Sequence, residues 1–344
     1  MGRSSSMKAL VTGGGGFLGR GIAHALLGEG HSVRSLTRSE NPELKRAGVE
    51  TMQGDIADPE AVARAVDGCD VVFHAAAKVG AAGSYEDFAR TNVRGTENVL
   101  SACRTYAVER LVYTSTPSVV FGHDDLEGVD ESHPYPAEYD AFYPQTKAQA
   151  EQRVMAANGT ALRTVCLRPH IIWGPGDTSL LPRLRARADK LRRIVTPGPP
   201  KKMDITYIDD AIAAHLLAAT ALDARPAEVG GKAYFISSGE PVEIWSFIDQ
   251  VLQATGKPPV RGTAPRGVAL AAGWVLETAH KLRGADGEPR MSRWIVRELT
   301  TSHWFDISAA RRDLGYAPQV SLQTGLERLA KWWDADDTVV VPTP

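Results

Sequence analysis

Little in this chain of 344 residues points to an extracellular or metal-dependent protein. It has three cysteines, Cys69, Cys103 and Cys166, an odd number with neither metal-ligand nor disulfide spacing. Each reads as a small buried hydrophobe in a reducing compartment, and a cytoplasmic location is expected. The nine histidines form no H-x-x-x-H pair and no cluster with carboxylates, so no metal is expected. No charge dominates: 39 basic residues face 41 acidic ones, for a net charge of −2. Without a basic excess to hold a phosphate backbone, nucleic acid is excluded as a partner. No apolar run is long enough to span a bilayer. MGRSSS (1–6) leads straight into a strand pattern, so no secretory leader is expected, and Met7 is an alternative start.

What is present alternates. KALVTG (8–13), SVRSLTR (32–38), VETMQGD (49–55), DVVFHAAA (70–77), RLVYTST (110–116) and LRTVCLRP (162–169) read as strands. Residues 17–30, 59–68, 95–106 and 144–159 carry apolar side chains at helical spacing between them. Strands separated by helices predict right-handed βαβ units and a doubly wound, parallel α/β sheet. Residues 206–220 read as a further helix and 232–239 as a further strand. The length suits a dinucleotide-binding domain over 7–175, to which 206–239 returns, and a smaller substrate lobe over 176–205 and 240–333. The lobe reads as helical and irregular. Residues 1–6 and 334–344 read as tails.

TGGGGFLG (12–19) joins the first strand to the first helix. Gly13, Gly16 and Gly19 fit G-x-x-G-x-x-G, and Gly14, Gly16 and Gly19 fit G-x-G-x-x-G. Glycines let the backbone approach a pyrophosphate, and the helix start, with Phe17 and Leu18, offers free N–H groups. The strand–turn–helix context is what makes the motif a dinucleotide site. The end of the second strand separates NAD from NADP. Here it reads Thr37-Arg38-Ser39, with no carboxylate, and Arg38 is placed to pair with a 2′-phosphate. NADP(H) is therefore the expected cofactor, with NAD(H) second. Asp55, with Ile56 beside it, is placed to meet the adenine; the alternative is that Asp55 caps the helix opening at Pro59.

Tyr143 and Lys147 form the chain's one Tyr-x-x-x-Lys, at a helix start, with their side chains on one face. A phenol near pKa 10 exchanges protons poorly at neutral pH, and a nearby ammonium favours the phenolate. The fifth strand ends in Thr114-Ser115-Thr116, hydroxyls at the edge where open sheets bind ligands.

These residues resemble the extended short-chain dehydrogenase/reductase superfamily from Lys8 to about Trp333. Within it the chain is most similar to the 3β-hydroxysteroid dehydrogenase-type branch. That branch includes sterol-4-carboxylate 3-dehydrogenases and bacterial 2-alkyl-3-oxoalkanoate reductases. VTGGGGFLG, VFHAAAKVG, NVRGTENVL, VYTSTPSVVF, YPQTKAQAE, LRPHIIWGPGD, TYIDDAIAAH and GKAYFISSGEP carry the likeness. It implies a Rossmann fold, a hydroxyl at Thr116 with Ser115 as its neighbouring alternative, and a homodimer. Ala75, Ala76 and Ala77 would line the nicotinamide ribose, supported by Asn92. Pro169, His170 and Ile171 would touch the nicotinamide, though His170 reads equally as a packed side chain. The branch often has an aspartate where Thr37-Arg38 stands, which favours an NADPH reductase here.

The expected reaction joins a ketone and a secondary alcohol on a lipophilic substrate, a 2-alkyl-3-oxoalkanoate or a 3β-hydroxysteroid. Arg183, Arg185 or Arg187 is a candidate for a substrate carboxylate. The alternative is a nucleotide-sugar epimerase or dehydratase with retained NAD. Dehydratases usually place an acid pair beside the catalytic hydroxyl, whereas Pro117-Ser118 follows Thr116. PRGVALAAGWVLETAHKL (265–282), flanked by Arg266, Lys281 and Arg283, is suited to rest on a membrane surface or to pack on its own lobe.

Overall fold

The computed structural model describes residues 6–283 and 291–335. Seven parallel strands form the central sheet: β1 (Lys8–Thr12), β2 (Ser32–Thr37), β3 (Glu50–Gln53), β4 (Val71–His74), β5 (Arg110–Thr114), β6 (Arg163–Pro169) and β7 (Ala233–Ile236). Their order is β3-β2-β1-β4-β5-β6-β7, so the chain reverses direction between β1 and β4. That crevice, at the carboxyl ends of the strands, is where doubly wound sheets bind ligands. The central strands are continuous apolar runs because helices cover both faces. On one face α1 (Phe17–Gly28) and α5 (Ile208–Ala224) bury Ile22, Leu26, Ala214, Ala218 and Leu222. On the other, α2 (Pro59–Val66), α3 (Gly95–Thr105) and α4 (Phe142–Ala156) bury Val62, Val66, Val99, Ala150 and Val154. Cys69, Cys103 and Cys166 are free, buried members of this second core.

Boundaries decide what the site can use. β4 stops at His74 and β5 at Thr114, so Ala75–Ala77 and Ser115–Thr116 emerge beyond the strand ends. α4 starts at Phe142, two residues before the sequence reading, which puts Tyr143 inside its first turn. The cap of α2 is Asp58, whose carboxylate accepts from the Glu60 N–H, so the capping alternative for Asp55 is corrected.

A third core joins Trp173, Leu181 and Tyr207 to residues of α6 (Ile244–Ala254), α7 (Arg266–Arg283), α8 (Arg293–Glu298) and α9 (Leu322–Ala335), including Trp245, Ala269, Val296 and Leu329. A four-stranded mixed sheet of 242–243, 202–203, 303–305 and 126–129 ties this region to the segment after β5. Strands of two to four residues carry no readable period, which is why these stretches read as irregular. α7 leaves Val268, Trp274 and Val275 exposed while Ala269 is buried. The side chains of Lys281 and Arg283 lie outside the described residues. Among the described residues no helix is long and apolar enough to cross a membrane, and no group of histidines, cysteines and carboxylates stands ready for a metal.

Candidate active site

The turn between β1 and α1 leaves no room for a side chain at Gly13 or Gly14. Gly13 has φ +72°, and a Cβ there would lie 2.9 Å from the Ala76 Cα. A Cβ at Gly14 would meet the Ser35 Oγ at 2.2 Å, and one at Gly19 the Gly13 carbonyl oxygen at 2.3 Å. At Gly16 it would only touch that oxygen, at 3.3 Å, so what Gly16 keeps clear is the cap of α1. No side chain caps α1 and no acid stands in its first turn, so its N–H groups face an anion without competition. Phe17 and Leu18 also pack against the third core, tying the cradle to the lobe. This bare, dipole-headed cradle fits a dinucleotide pyrophosphate.

A buried polar chain holds the opposite wall. The Thr96 hydroxyl donates to the Asn92 carbonyl (2.6 Å), so it accepts from His74 Nε2–H (3.0 Å). His74 Nδ1 then accepts from the Thr12 hydroxyl (2.7 Å), whose oxygen accepts the Ala76 N–H (3.2 Å). Burial drives the His74 pKa down to about 3, so the ring is neutral, as this chain requires. Asn92, inside a π-helical stretch, accepts the Lys78 N–H at 2.7 Å. Its amide donates to the Lys78 carbonyl and to the Thr146 hydroxyl of α4, each at 3.0 Å. Asn92 thus fixes Ala75–Ala77 relative to the helix that carries Tyr143. Thr12, His74, Thr96 and Thr146 were not singled out from sequence; VFHAAA offered the one signal, a histidine at a strand end.

Tyr143 and Lys147 project from α4 toward the β5 terminus. Burial pushes the Tyr143 phenol up to about 12, a hydrogen bond from Thr116 lowers it, and the charge of Glu298 raises it. The Thr116 hydroxyl meets the Ser118 hydroxyl (3.0 Å) and accepts from the Ser118 N–H (3.3 Å), whereas the buried Ser115 hydroxyl has no partner among the described residues. The Lys147 ammonium donates to the Thr114 carbonyl at 2.6 Å and lies 4.1 Å from the Tyr113 ring centroid. Burial pulls its pKa down to about 7, and Glu151, one turn further along α4, opposes that. Glu151 is itself fully buried and accepts from Arg168 (2.7 Å) and the Tyr135 hydroxyl (2.7 Å). Thr114 contributes its carbonyl; its hydroxyl is engaged with His215 Nε2 at 2.9 Å.

Arg38 is exposed at the end of β2, forms no ion pair among the described residues, and stands near enough to Asp55 to lower that carboxyl's pKa. Asp55 accepts from the Ala57 N–H (2.9 Å) and pairs with Arg90 (2.9 Å), while Ile56 is buried against Gly95. His170 is packed: its Nε2 meets His303 Nδ1 at 2.8 Å inside a nest of Phe121 and Phe305. His303 Nε2–H donates to the Glu298 carbonyl (2.8 Å), so His303 Nδ1 accepts and His170 carries its proton on Nε2. The backbone is engaged as well: the His170 N–H donates to the Ile236 carbonyl (3.1 Å), the His170 carbonyl accepts from the Thr206 hydroxyl (2.5 Å) and the Ile171 carbonyl from the Thr206 N–H (3.1 Å). Arg185 donates from Nε to the Thr255 carbonyl (3.2 Å), and its guanidinium lies 5.0 Å from the centre of the Trp333 ring.

A glycine cradle, a Tyr/Lys/Thr group and a switch-point crevice define an NAD(P)-dependent oxidoreductase of the extended short-chain dehydrogenase/reductase superfamily, acting on CH–OH groups. More narrowly, residues 10–263 match the 3-beta hydroxysteroid dehydrogenase/isomerase family, and the chain belongs to it. A 2-alkyl-3-oxoalkanoate reductase of Stenotrophomonas maltophilia is 48% identical over 94% of this chain and 98% of that protein. A 3 beta-hydroxysteroid dehydrogenase/Delta 5→4-isomerase of Mycobacterium tuberculosis is 36% identical over 93% of this chain and 88% of its own. Among solved structures, the UDP-glucose 4-epimerase of Thermus thermophilus in complex with NAD superposes with a TM-score of 0.71 at 24% identity, covering 95% and 99% of the two chains. At that identity the likeness is one of fold.

Proposed function

We propose that the chain reduces the ketone of a 2-alkyl-3-oxoalkanoate, or a compound of like shape, to the secondary alcohol, with NADPH preferred over NADH. The observation that supports this reading most is the Lys147 ammonium on the Thr114 carbonyl (2.6 Å), one helical turn from Tyr143 and at the carboxyl end of the sheet that the glycine turn also faces. The Stenotrophomonas relative supports the substrate class. The cradle of Gly13–Gly19, Ala75–Ala77, Lys147 and Arg38 would hold the dinucleotide, which when bound supplies the hydride. Thr116 and Tyr143 would grip the substrate oxygen, Tyr143 giving it a proton as charge builds there. Lys147 would bind the ribose and steady the phenol's charge. In the opposite direction the same groups would oxidise a 3β-hydroxysteroid, a reading that the Mycobacterium relative supports, or a sterol 4-carboxylate.

The same proposal includes a homodimer and a peripheral membrane contact through Val268, Trp274 and Val275, the exposed apolar edge of α7. Purified protein should turn over 2-alkyl-3-oxoacids or sterol ketones with NADPH and leave UDP-sugars untouched. Efficient epimerisation of a UDP-sugar with no turnover of any lipophilic ketone would install the sugar-nucleotide reading instead.

A further inference from the structure

Where α5 lies on the sheet it presents alanines, and Ala211, Ala214 and Ala218 are fully buried; His215, in the same helix, is buried as completely. An imidazole in such a place needs a partner for each ring nitrogen. Nδ1 meets the Ala211 carbonyl at 2.7 Å, so it carries the ring proton and donates. Burial pulls the His215 pKa down to about 4, which leaves the ring neutral and Nε2 an acceptor. The Thr114 hydroxyl, 2.9 Å away, therefore donates to Nε2. Thr114 ends β5, and its peptide with Ser115 is held on both sides. The carbonyl accepts from the Lys147 ammonium at 2.6 Å, and the Ser115 N–H donates to the Leu167 carbonyl at 2.6 Å. Lys147 comes from α4 on one face of the sheet and His215 from α5 on the other.

We propose that His215 is a positioning residue for the active site, holding Thr114 from the far face of the sheet so that its carbonyl keeps the Lys147 ammonium where the cofactor's ribose binds. This rests on the reading of Lys147 as the residue that binds that ribose. β4 ends at His74, so Thr114 stands one residue beyond its last partner on that strand and gains its restraint from side chains instead. An apolar residue at 215 would pack against the sheet but would leave the Thr114 hydroxyl free to turn. The peptide that carries the carbonyl would then be fixed by the Leu167 bond alone once Lys147 moved. The same peptide leads into Ser115 and Thr116, so its orientation reaches the hydroxyl expected to meet the substrate as well.

The test separates position from stability. T114V exchanges the hydroxyl for a methyl of the same shape and leaves Nε2 of a buried ring without a partner, so it should lower Tm. T114V/H215L removes that nitrogen too, so Tm should return toward wild type. Function should not follow. In T114V, H215L and the double variant, NADPH affinity, read by fluorescence titration, should fall at least about threefold, and single-turnover NADPH oxidation with a 2-alkyl-3-oxoacid should slow about tenfold. The losses should not add in the double variant, because each change removes the same bond. T114S, which keeps the hydroxyl, should stay within about twofold of wild type in both readouts. Affinity and rate that return with Tm in the double variant overturn the assignment, as does a T114V that matches wild type or a T114S as damaged as T114V. If Lys147→Ala weakens NADPH binding and T114V does not, only this inference fails. If Lys147→Ala binds NADPH as wild type does, the reading beneath it fails.

Discussion

An ammonium that is 2% exposed needs support to remain charged, and Lys147 draws it from Glu151 one turn along the helix and from the Thr114 carbonyl. Glu151 in turn is bound by Arg168 and Tyr135, so the charge on Lys147 depends on side chains from β6 and from the loop before α4. The Tyr143–Lys147 pair was legible because four-residue spacing puts both on one helical face whatever the fold around them. His215 was not, since only folding brings α5 to the end of β5 and no local spacing records it. At the end of β2, Arg38 is exposed and forms no ion pair among the described residues. Arg38→Asp should reverse the cofactor preference: the 2′-phosphate loses a charged partner and meets a repelling one. Steady-state kcat/KM with NADPH and NADH measures this, and an unchanged ratio removes Arg38 from the cofactor site.

Elements differ in how far their sequence announces them. β1, β4 and β5 are apolar along their length because both faces are covered, and turn residues bound them, so their existence follows from sequence while their last residues do not. The pairs at 202–203 and 242–243 gain their geometry from neighbours, not from period. The turn into α1 is the most constrained element, since Gly13, Gly14 and Gly19 each face an atom within 3.0 Å of where a Cβ would be. Gly19→Ala forces the methyl against the Gly13 carbonyl, which must move. That change should cost about 1–3 kcal/mol of stability. It should also weaken cofactor binding at least tenfold, read by titration of cofactor fluorescence. Binding within about twofold of wild type would mean that the cradle is not where the pyrophosphate sits.

For the molecule as a whole, buried histidines set the response to acid. Burial lowers the pKa of His74 to about 3 and of His215 to about 4, and lowers those of His170 and His303 as well. In the unfolded chain each titrates near 6.5. Their contribution is therefore complete above about pH 6.5 and is lost as pH falls, by about 1.4 kcal/mol per unit for each well-isolated group. Asp204 and Glu298 act with the opposite sign. Burial raises them to about 7 and about 8, so their contribution is lost as pH rises through those values. Burial raises Glu131 and Asp210 as well, so four acids oppose four histidines. A single histidine's share is read by substitution: the Tm of wild type should fall relative to that of His215→Gln, which cannot titrate, as pH drops from about 7 to about 5. A Tm difference that stays constant over this range would contradict a neutral, buried His215.

The most direct test of the central claim is hydride transfer by Tyr143→Phe, measured as single-turnover NADPH oxidation with a 2-alkyl-3-oxoacid, alongside cofactor affinity. A positioned proton donor contributes about 10²–10⁴-fold, so the rate should fall by at least that lower figure while affinity for NADPH stays within about twofold. A rate within about tenfold of wild type would show that the phenol at the head of α4 is not the group that protonates the substrate.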